Sequence, residues 1–393
     1  MRMHAVRMIL SGAALALMTS VAPAQDFHGF TPTGFSGDML ASDALSAMVV
    51  DAMKASPPKN GDKYVLAFAN LDRGISFCSK VEKGILANAE AAGIEVVVAD
   101  NNLDGATALT NAESFINRDV DYVIEFQTDA NFGATIMQKM EAAGIKVTAI
   151  DIPMPGSTFF GANNPKSGYM GGVYLGQAAI AKFGADKVKE GYFILGDLPQ
   201  SGAVPAMRTG GQLAGFLAAV EGFPEDHVIT IDTKNTLEES FAQTNNVLGR
   251  IPEGVPIMTT AINDQATTGT IRAVKQAGRE DDLIAVGMGA DELATMMAEP
   301  TFIASVGYFP ERYGNFLVPM ALSELAGNDL PPTVLMTHVM VDKGNVCEYY
   351  PGFECVDGAG LEIDFPQDAF EAHLAEIRKS PDMADALDLI PSE

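Results

Sequence analysis

Five stretches of the 393-residue chain carry the groups most capable of chemistry: Asn70 to Arg73 with Phe77, Gln127 to Asn131, Asp151, Asn263 to Gln265, and Gly287 to Asp291. Each follows an apolar run. Carboxylates and amides accept or donate hydrogen bonds to hydroxyl groups, and an aromatic face suits the C–H side of a sugar ring. Gathered in a concave site with one arginine, such groups match a small polyhydroxylated molecule. Enzyme chemistry has less to work with. His4 lies in a removable leader, described below, and His28, His227, His338 and His373 stand isolated, without a serine elbow or a metal-spaced partner. Gly287-Met288-Gly289 lacks the third glycine of the dinucleotide fingerprint, and no Gly-Lys-Ser or Gly-Lys-Thr phosphate loop occurs. No two carboxylates stand out as a glycosidase pair. The chain reads as a non-enzyme without a cofactor.

Positioning these groups is the task of the apolar runs that precede them. From residue 63 to residue 310, runs rich in Val, Ile, Leu and Phe alternate with segments of helical period. In the first half, strands are expected at Tyr64 to Ala69, Glu95 to Ala99, Tyr122 to Phe126, Lys146 to Asp151 and Phe159 to Ala162. The second half offers Gly191 to Leu195, His227 to Ile231, Ile257 to Thr260, Leu283 to Gly287 and Ile303 to Gly307. VEKGILANAEAAG ends at Gly93, a C-terminal cap, and MEAAG at Met140 to Gly144 repeats that ending before the next strand. The pattern predicts an α/β fold of two doubly wound parallel-sheet lobes joined by a hinge, with loops at the strand ends lining the crevice between them. The N-terminal lobe is drawn as 63–155 with 309–335 and the C-terminal lobe as 156–308 with 336–365; hinge crossovers are expected near 152–158, 307–310 and 334–341.

The ends of the chain carry different signals. Arg2 and Arg7 precede an apolar run from Met8 to Val21, which closes on Ala22-Pro23-Ala24 before Gln25, the order of an export signal cleaved after Ala24. That run of about 14 residues is short of the roughly 20 that a spanning helix needs. Residues 25–62 hold an amphipathic stretch from Gly37 to Met53 and then the breakers Ser56-Pro57-Pro58-Lys59-Asn60-Gly61, so the folded core is expected to begin after them. Residues 366–393 read as a peripheral acidic helix and tail. Loss of the leader leaves 23 bases against 51 acids, a net charge of −28, with no basic run to meet a nucleic acid. Three cysteines exclude a disulfide scaffold and a thiolate zinc cluster. In an oxidising compartment Cys347 and Cys355 can close a short loop, leaving Cys78 as a small buried hydrophobe.

AINDQATTGTIRAVKQAG at 261 to 278, DDLIAVGMGADE after it, and AAGIKVTAIDIPMPG at 142 to 156 resemble the type I periplasmic binding proteins. Within them the likeness is to the ribose- and galactose-binding group, which shares its fold with the ligand domain of the lactose-repressor family; it spans roughly residues 62 to 340. The resemblance implies sugar contacts at Asn263 and Asp151, a ligand-clamping arginine at Arg208 in VPAMRTGG, an aromatic wall at Phe77 and a polar crossover residue at Tyr308. Gln127 and Asp72 correspond more weakly. Because a helix begins near Gln265, Asn263 is assigned to the ligand and Asp264 to the helix cap. Cys78 stands where the family often has a second aromatic, and Gly289 where it has an aspartate, with Asp291 the nearest substitute. The implied function is capture of a sugar or polyol in the periplasm by a monomer that closes on it and delivers it to an inner-membrane ABC permease. Rival readings are a ligand presenter for a chemoreceptor or sensor, a binder of a non-sugar molecule, and a periplasmic carbohydrate hydrolase.

Overall fold

The computed structural model describes residues 38–384 and 386–390, so the expected export signal and its expected cleavage position fall outside the described residues. In chain order the strands are β1 Val65–Asn70, β2 Glu95–Asp100, β3 Tyr122–Glu125, β4 Lys146–Ile150, β5 Thr158–Ala162 and β6 Tyr192–Asp197. They continue as β7 Val228–Asp232, β8 Ile257–Ala261, β9 Leu283–Gly289, β10 Phe302–Gly307, β11 Thr333–Met336 and β12 Val339–Asp342. Two six-stranded sheets result, ordered β11-β5-β4-β3-β1-β2 and β12-β10-β9-β8-β6-β7. All pairings are parallel except that of β10 with β12. Every residue of β8 and of β9 is buried, as expected of parallel strands covered on both faces by helices. The repeated glycine endings act alike. Gly93 and Gly144 take positive φ (72° and 63°), and the N–H groups of Ile94 and Ile145 return to the carbonyls of Ala89 and Met140, closing each helix just before its strand.

One expected crossover moves. The first crossover does not lie at 152–158: β5 pairs with β4 inside the first sheet, so the chain passes to the second lobe between Ala162 and the helix Asn164–Phe183. The Pro- and Gly-rich run after β4 is a return loop within one lobe, and its breakers gave it the look of a linker. The apolar stretch from Thr333 to Val341 is two strands, β11 in the first sheet and β12 in the second, with Thr337 and His338 as the third crossover. The second crossover follows β10, near 307–310.

The described parts of both terminal segments pack into the body of the protein. The helix Ser42–Ala55 buries Leu45 and Ala52 completely in the first lobe's core, and Tyr64 Oη donates to the Ser56 carbonyl, so the core begins before the breaker segment rather than after it. Its apolar positions Leu45, Met48, Val49 and Ala52 share one helical face, which needs a partner. At the other end Phe370 and Leu374 of the helix Gln367–Lys379 pack with Tyr169, Val173 and Met207 of the second lobe. The same cluster contains Phe159 and Leu335 from the first sheet, so the acidic tail is docked across the hinge rather than peripheral. Cys347 and Cys355 are bonded, and Cys78 is free and buried.

Candidate functional site

The C-terminal ends of strands from both sheets meet at one cavity of about 60 Å³. Its first-lobe wall is Leu71, Ile75, Phe77, Cys78, Phe126, Asp151 and Ile152; the second lobe and crossover contribute Leu198, Ser201, Pro205, Arg208, Asn235, Ile262, Asn263, Met288, Gly289 and Tyr308. The lobes are closed on it. Ser76 Oγ and Lys80 Nζ, on the first lobe's helix Ser76–Ala92, both donate to the carbonyl of Asp291 beyond β9.

Asp151 follows β4 in a left-handed conformation, φ 54°, a cost that a residue outside the glycine class bears only where its surroundings impose it. Those surroundings are specific. Its N–H donates to the Phe160 carbonyl at 3.0 Å and its Oδ1 accepts the Ala162 N–H at 2.9 Å. Gly161 leaves the space for this, since a Cβ there would sit 2.4 Å from that oxygen. Burial raises the Asp151 carboxyl above its ordinary pKa, opposed by the Arg208 charge and the Ala162 N–H. Among the described residues Asp151 and Arg208 nevertheless form no ion pair with each other, and the bonds they make use Asp151 Oδ1 and Arg208 Nε and Nη1, leaving Asp151 Oδ2 and Arg208 Nη2 uncommitted. A hydroxyl placed between them would meet both an acceptor and a donor.

Arg208 is delivered by the helix Ala203–Ala219, which lies against Asn164–Phe183 at glycine contacts. A Cβ at Gly168 would fall 2.0 Å from the Arg208 carbonyl, and one at Gly172 2.0 Å from that of Gln212; Gly215 faces the Tyr169 carbonyl in the same way. No larger residue permits this separation. Arg208 Nε then donates to Asn164 Oδ1 at 3.0 Å and Nη1 to the Ile262 carbonyl at 2.9 Å, while its guanidinium lies 4.9 Å from the Tyr308 ring centre. Tyr308 Oη shares a 2.7 Å hydrogen bond with Ser167, and burial pushes its pKa up to about 12. Phe77 stands edge-on to Phe126, Tyr308 and Tyr313 with centroids 5.5–6.3 Å apart.

His338 ties the hinge together. From the third crossover its Nε2 accepts the Asn163 N–H at the first, at 3.0 Å, and its Nδ1 pairs with the Gly307 carbonyl at the second, at 3.1 Å. Its ring lies 4.3 Å from that of Tyr308. Burial pulls its pKa down to about 3, so the imidazole is neutral, the form in which one nitrogen accepts and the other donates.

Of the seven residues expected to contact a ligand, Phe77, Asp151, Arg208, Asn263 and Tyr308 line the cavity; Asp72 and Gln127 do not. Asp72 folds back on the Gly74 N–H in a turn, and Gln127 Oε1 accepts the N–H groups of Thr128 and Asp129 before the next helix. The division of labour after β8 is also corrected. Asn263 is the N-cap, its Oδ1 accepting the Ala266 N–H at 2.7 Å, and it faces the cavity as well. Asp264 instead braces strand ends, taking Ser305 Oγ–H on one oxygen and the N–H groups of Asp291 and Glu292 on the other. Asp291 is outside the cavity lining and its carbonyl holds the first lobe, while its Oδ1 stands 2.6 Å from where a Cβ on Gly289 would be. Asn235, not among the expected residues, also obeys the strand-end rule: it follows β7, and its Oδ1 accepts from Asn263 Nδ2 at 2.8 Å. Ser201 has no local signal, being set beyond the end of its strand, and His338 falls inside the expected crossover 334–341 without any local pattern that marks it as a hinge bond.

The sequence profile described as "Periplasmic binding protein domain" matches residues 66–329. The ribose import binding protein of Bacillus subtilis is 23% identical over 303 residues, covering 74% of this chain and 93% of that protein. Among solved structures, the Caulobacter myo-inositol binding protein bound to myo-inositol has a TM-score of 0.64 at 18% identity, covering 75% of this chain and 98% of that one. A periplasmic solute-binding protein of an ABC transporter from Actinobacillus succinogenes, with bound D-allose, has a TM-score of 0.62 at 19% identity, covering 73% and 100%. At these identities the structural likenesses speak to the two-lobed fold.

Proposed function

The chain belongs to the periplasmic binding protein family, whose members bind solutes and are not enzymes, and from that premise we propose that it captures a sugar or polyol between its lobes for an ABC import system. The named relatives take ribose, myo-inositol and D-allose, which supports a hydroxyl-rich ligand. One observation carries the reading for this chain. Asp151 from the first lobe and Arg208 from the second converge on the closed cavity without pairing with each other, and each keeps an uncommitted hydrogen-bonding atom. Asn263, Tyr308 and Phe77 complete the contact set; Asp72 and Gln127 are left out of it.

Function follows from closure. A ligand held by one lobe favours the closed state only through the contacts it gains with the other, so differential affinity drives the motion. The closed form is what a membrane permease would recognise. We assign the protein to the periplasm, as a monomer released by cleavage after Ala24. The test is thermal denaturation across pentoses, hexoses, deoxysugars and polyols. A ligand at about 100 times its Kd should add about 2.7 kcal/mol of stability, and Asp151→Ala or Arg208→Ala should abolish that shift while leaving a cooperative transition. An undiminished shift in both variants would place the site elsewhere.

A further inference from the structure

The cavity is apolar over most of its lining, and its hydrogen-bonding side chains are few. Leu71, Ile75, Phe77, Cys78, Phe126 and Ile152 make the first-lobe wall apolar, with Asp151 its single hydrogen-bonding side chain. The second lobe adds the apolar Leu198, Pro205, Ile262 and Met288, and its polar groups are largely committed to the protein. Arg208 already serves Asn164 and the Ile262 carbonyl, Asn263 caps its helix through one amide atom and bonds Asn235 through the other, and Ser201 donates to the Leu198 carbonyl. The atoms with no bond within the described protein form a short polar edge, Asp151 Oδ2, Arg208 Nη2 and the Asn235 amide N–H groups, while the Ser201 and Tyr308 hydroxyls can each make one further bond. A fully hydroxylated hexose presents hydroxyls around its whole rim, so several would face the apolar wall without a partner, each a desolvated polar group. Phe77 cannot relieve this, because a ring edge or face offers such groups only weak contacts.

Resting on the sugar-or-polyol reading above, we propose that the ligand is a deoxygenated member of that class. Two or three neighbouring hydroxyls occupy the Asp151–Arg208–Asn235 edge, and a methyl or methylene edge lies against Ile75, Cys78 and Phe126. Such a molecule buries its carbon side where the wall is apolar and keeps its hydroxyls where acceptors and donors are uncommitted. Isothermal titration of the full mature chain with matched pairs decides the matter: L-fucose against L-galactose, L-rhamnose against L-mannose, and 6-deoxy-D-glucose against D-glucose, beside the wider sugar and polyol screen. In at least one pair the deoxy member should bind roughly tenfold more tightly, the factor expected for one unpartnered buried hydroxyl. If the tightest ligands of the screen are fully hydroxylated and their deoxy partners bind equally or more weakly, the inference is overturned while sugar binding stands. Absence of binding by every sugar and polyol overturns both.

Discussion

At Asp151 and Glu125 burial acts on two carboxyls with different consequences. Asp151 keeps one oxygen free toward the cavity and is countered by Arg208, so its charge has a use. Glu125, at the end of β3, is fully buried with only the Asn101 amide on Oε1 and nothing on Oε2, and desolvation pushes its pKa up to about 8. A folded-state pKa raised above the unfolded value means that the folded protein holds a proton that the unfolded chain releases. The associated stability is full below about pH 4.5 and is lost as pH rises through about 8. His338 acts in the opposite sense. Its pKa is depressed to about 3, so its contribution is full above about pH 6.5 and declines as pH falls toward 3. Glu125→Gln should therefore raise Tm by several degrees near about pH 8.5 and leave it nearly unchanged near about pH 4.5, where the native glutamic acid is already neutral. Differential scanning calorimetry at the two pH values checks this, and an equal shift at both would show that the charge is not the cause.

Among the elements, the pair of helices Asn164–Phe183 and Ala203–Ala219 sets how far Arg208 reaches. Glycines at 168, 172, 211 and 215 bring backbone against backbone, and with it the arginine's own carbonyl against Gly168. Gly215→Ala puts a methyl where the Tyr169 carbonyl stands, 2.1 Å away, so the helices must separate. Overpacking of this kind costs about 1–3 kcal/mol. Because Arg208 lies two turns from Gly215 on the same helix, ligand affinity should also fall by about tenfold or more. Gly210→Ala on the same helix meets open space and should alter neither quantity. Denaturant titration and ligand titration of the two variants, side by side, separate helix spacing from a general effect of added methyls. The spacing of these glycines is visible in the sequence, but it reads as a flexible or broken helix until the partner helix is known.

For the whole molecule the decisive feature is that three crossovers pass through one place and His338 bonds to the other two. Tyr308 carries this junction to the site, touching His338 on one side and Arg208 on the other. The tail adds a second brace, burying Phe370, Leu374, Met383 and Ile390 with residues of both lobes. His338→Phe keeps a ring against Tyr308 but leaves the Asn163 N–H and Gly307 carbonyl without partners, a loss of about 1–3 kcal/mol. The lobes should then meet less accurately, weakening ligand binding by about tenfold, whereas His338→Gln, whose amide both accepts and donates, should recover much of it. Calorimetric titration of the two variants tests the hinge role; equal losses in both, or none in either, would refute it.

The sequence alone determined the class of the fold and the rhythm of its strands, because buried parallel strands must be continuous apolar runs and their helices must end in caps such as Gly93 and Gly144. It also singled out Asp151, Asn263 and the neighbourhood of Phe77, since polar or aromatic residues directly after such runs sit at strand ends. Tertiary structure decided the rest. Asp72 and Gln127 satisfy the same local rule, yet their side chains serve nearby backbone N–H groups, and only the course of the chain around them sets that choice. The place of β5, the splitting of Thr333 to Val341 between two sheets, and the role of His338 depend on partners far along the chain. Local composition constrains what a segment can become, whereas which lobe it joins is set by hydrogen bonds and packing between residues that no short window contains together.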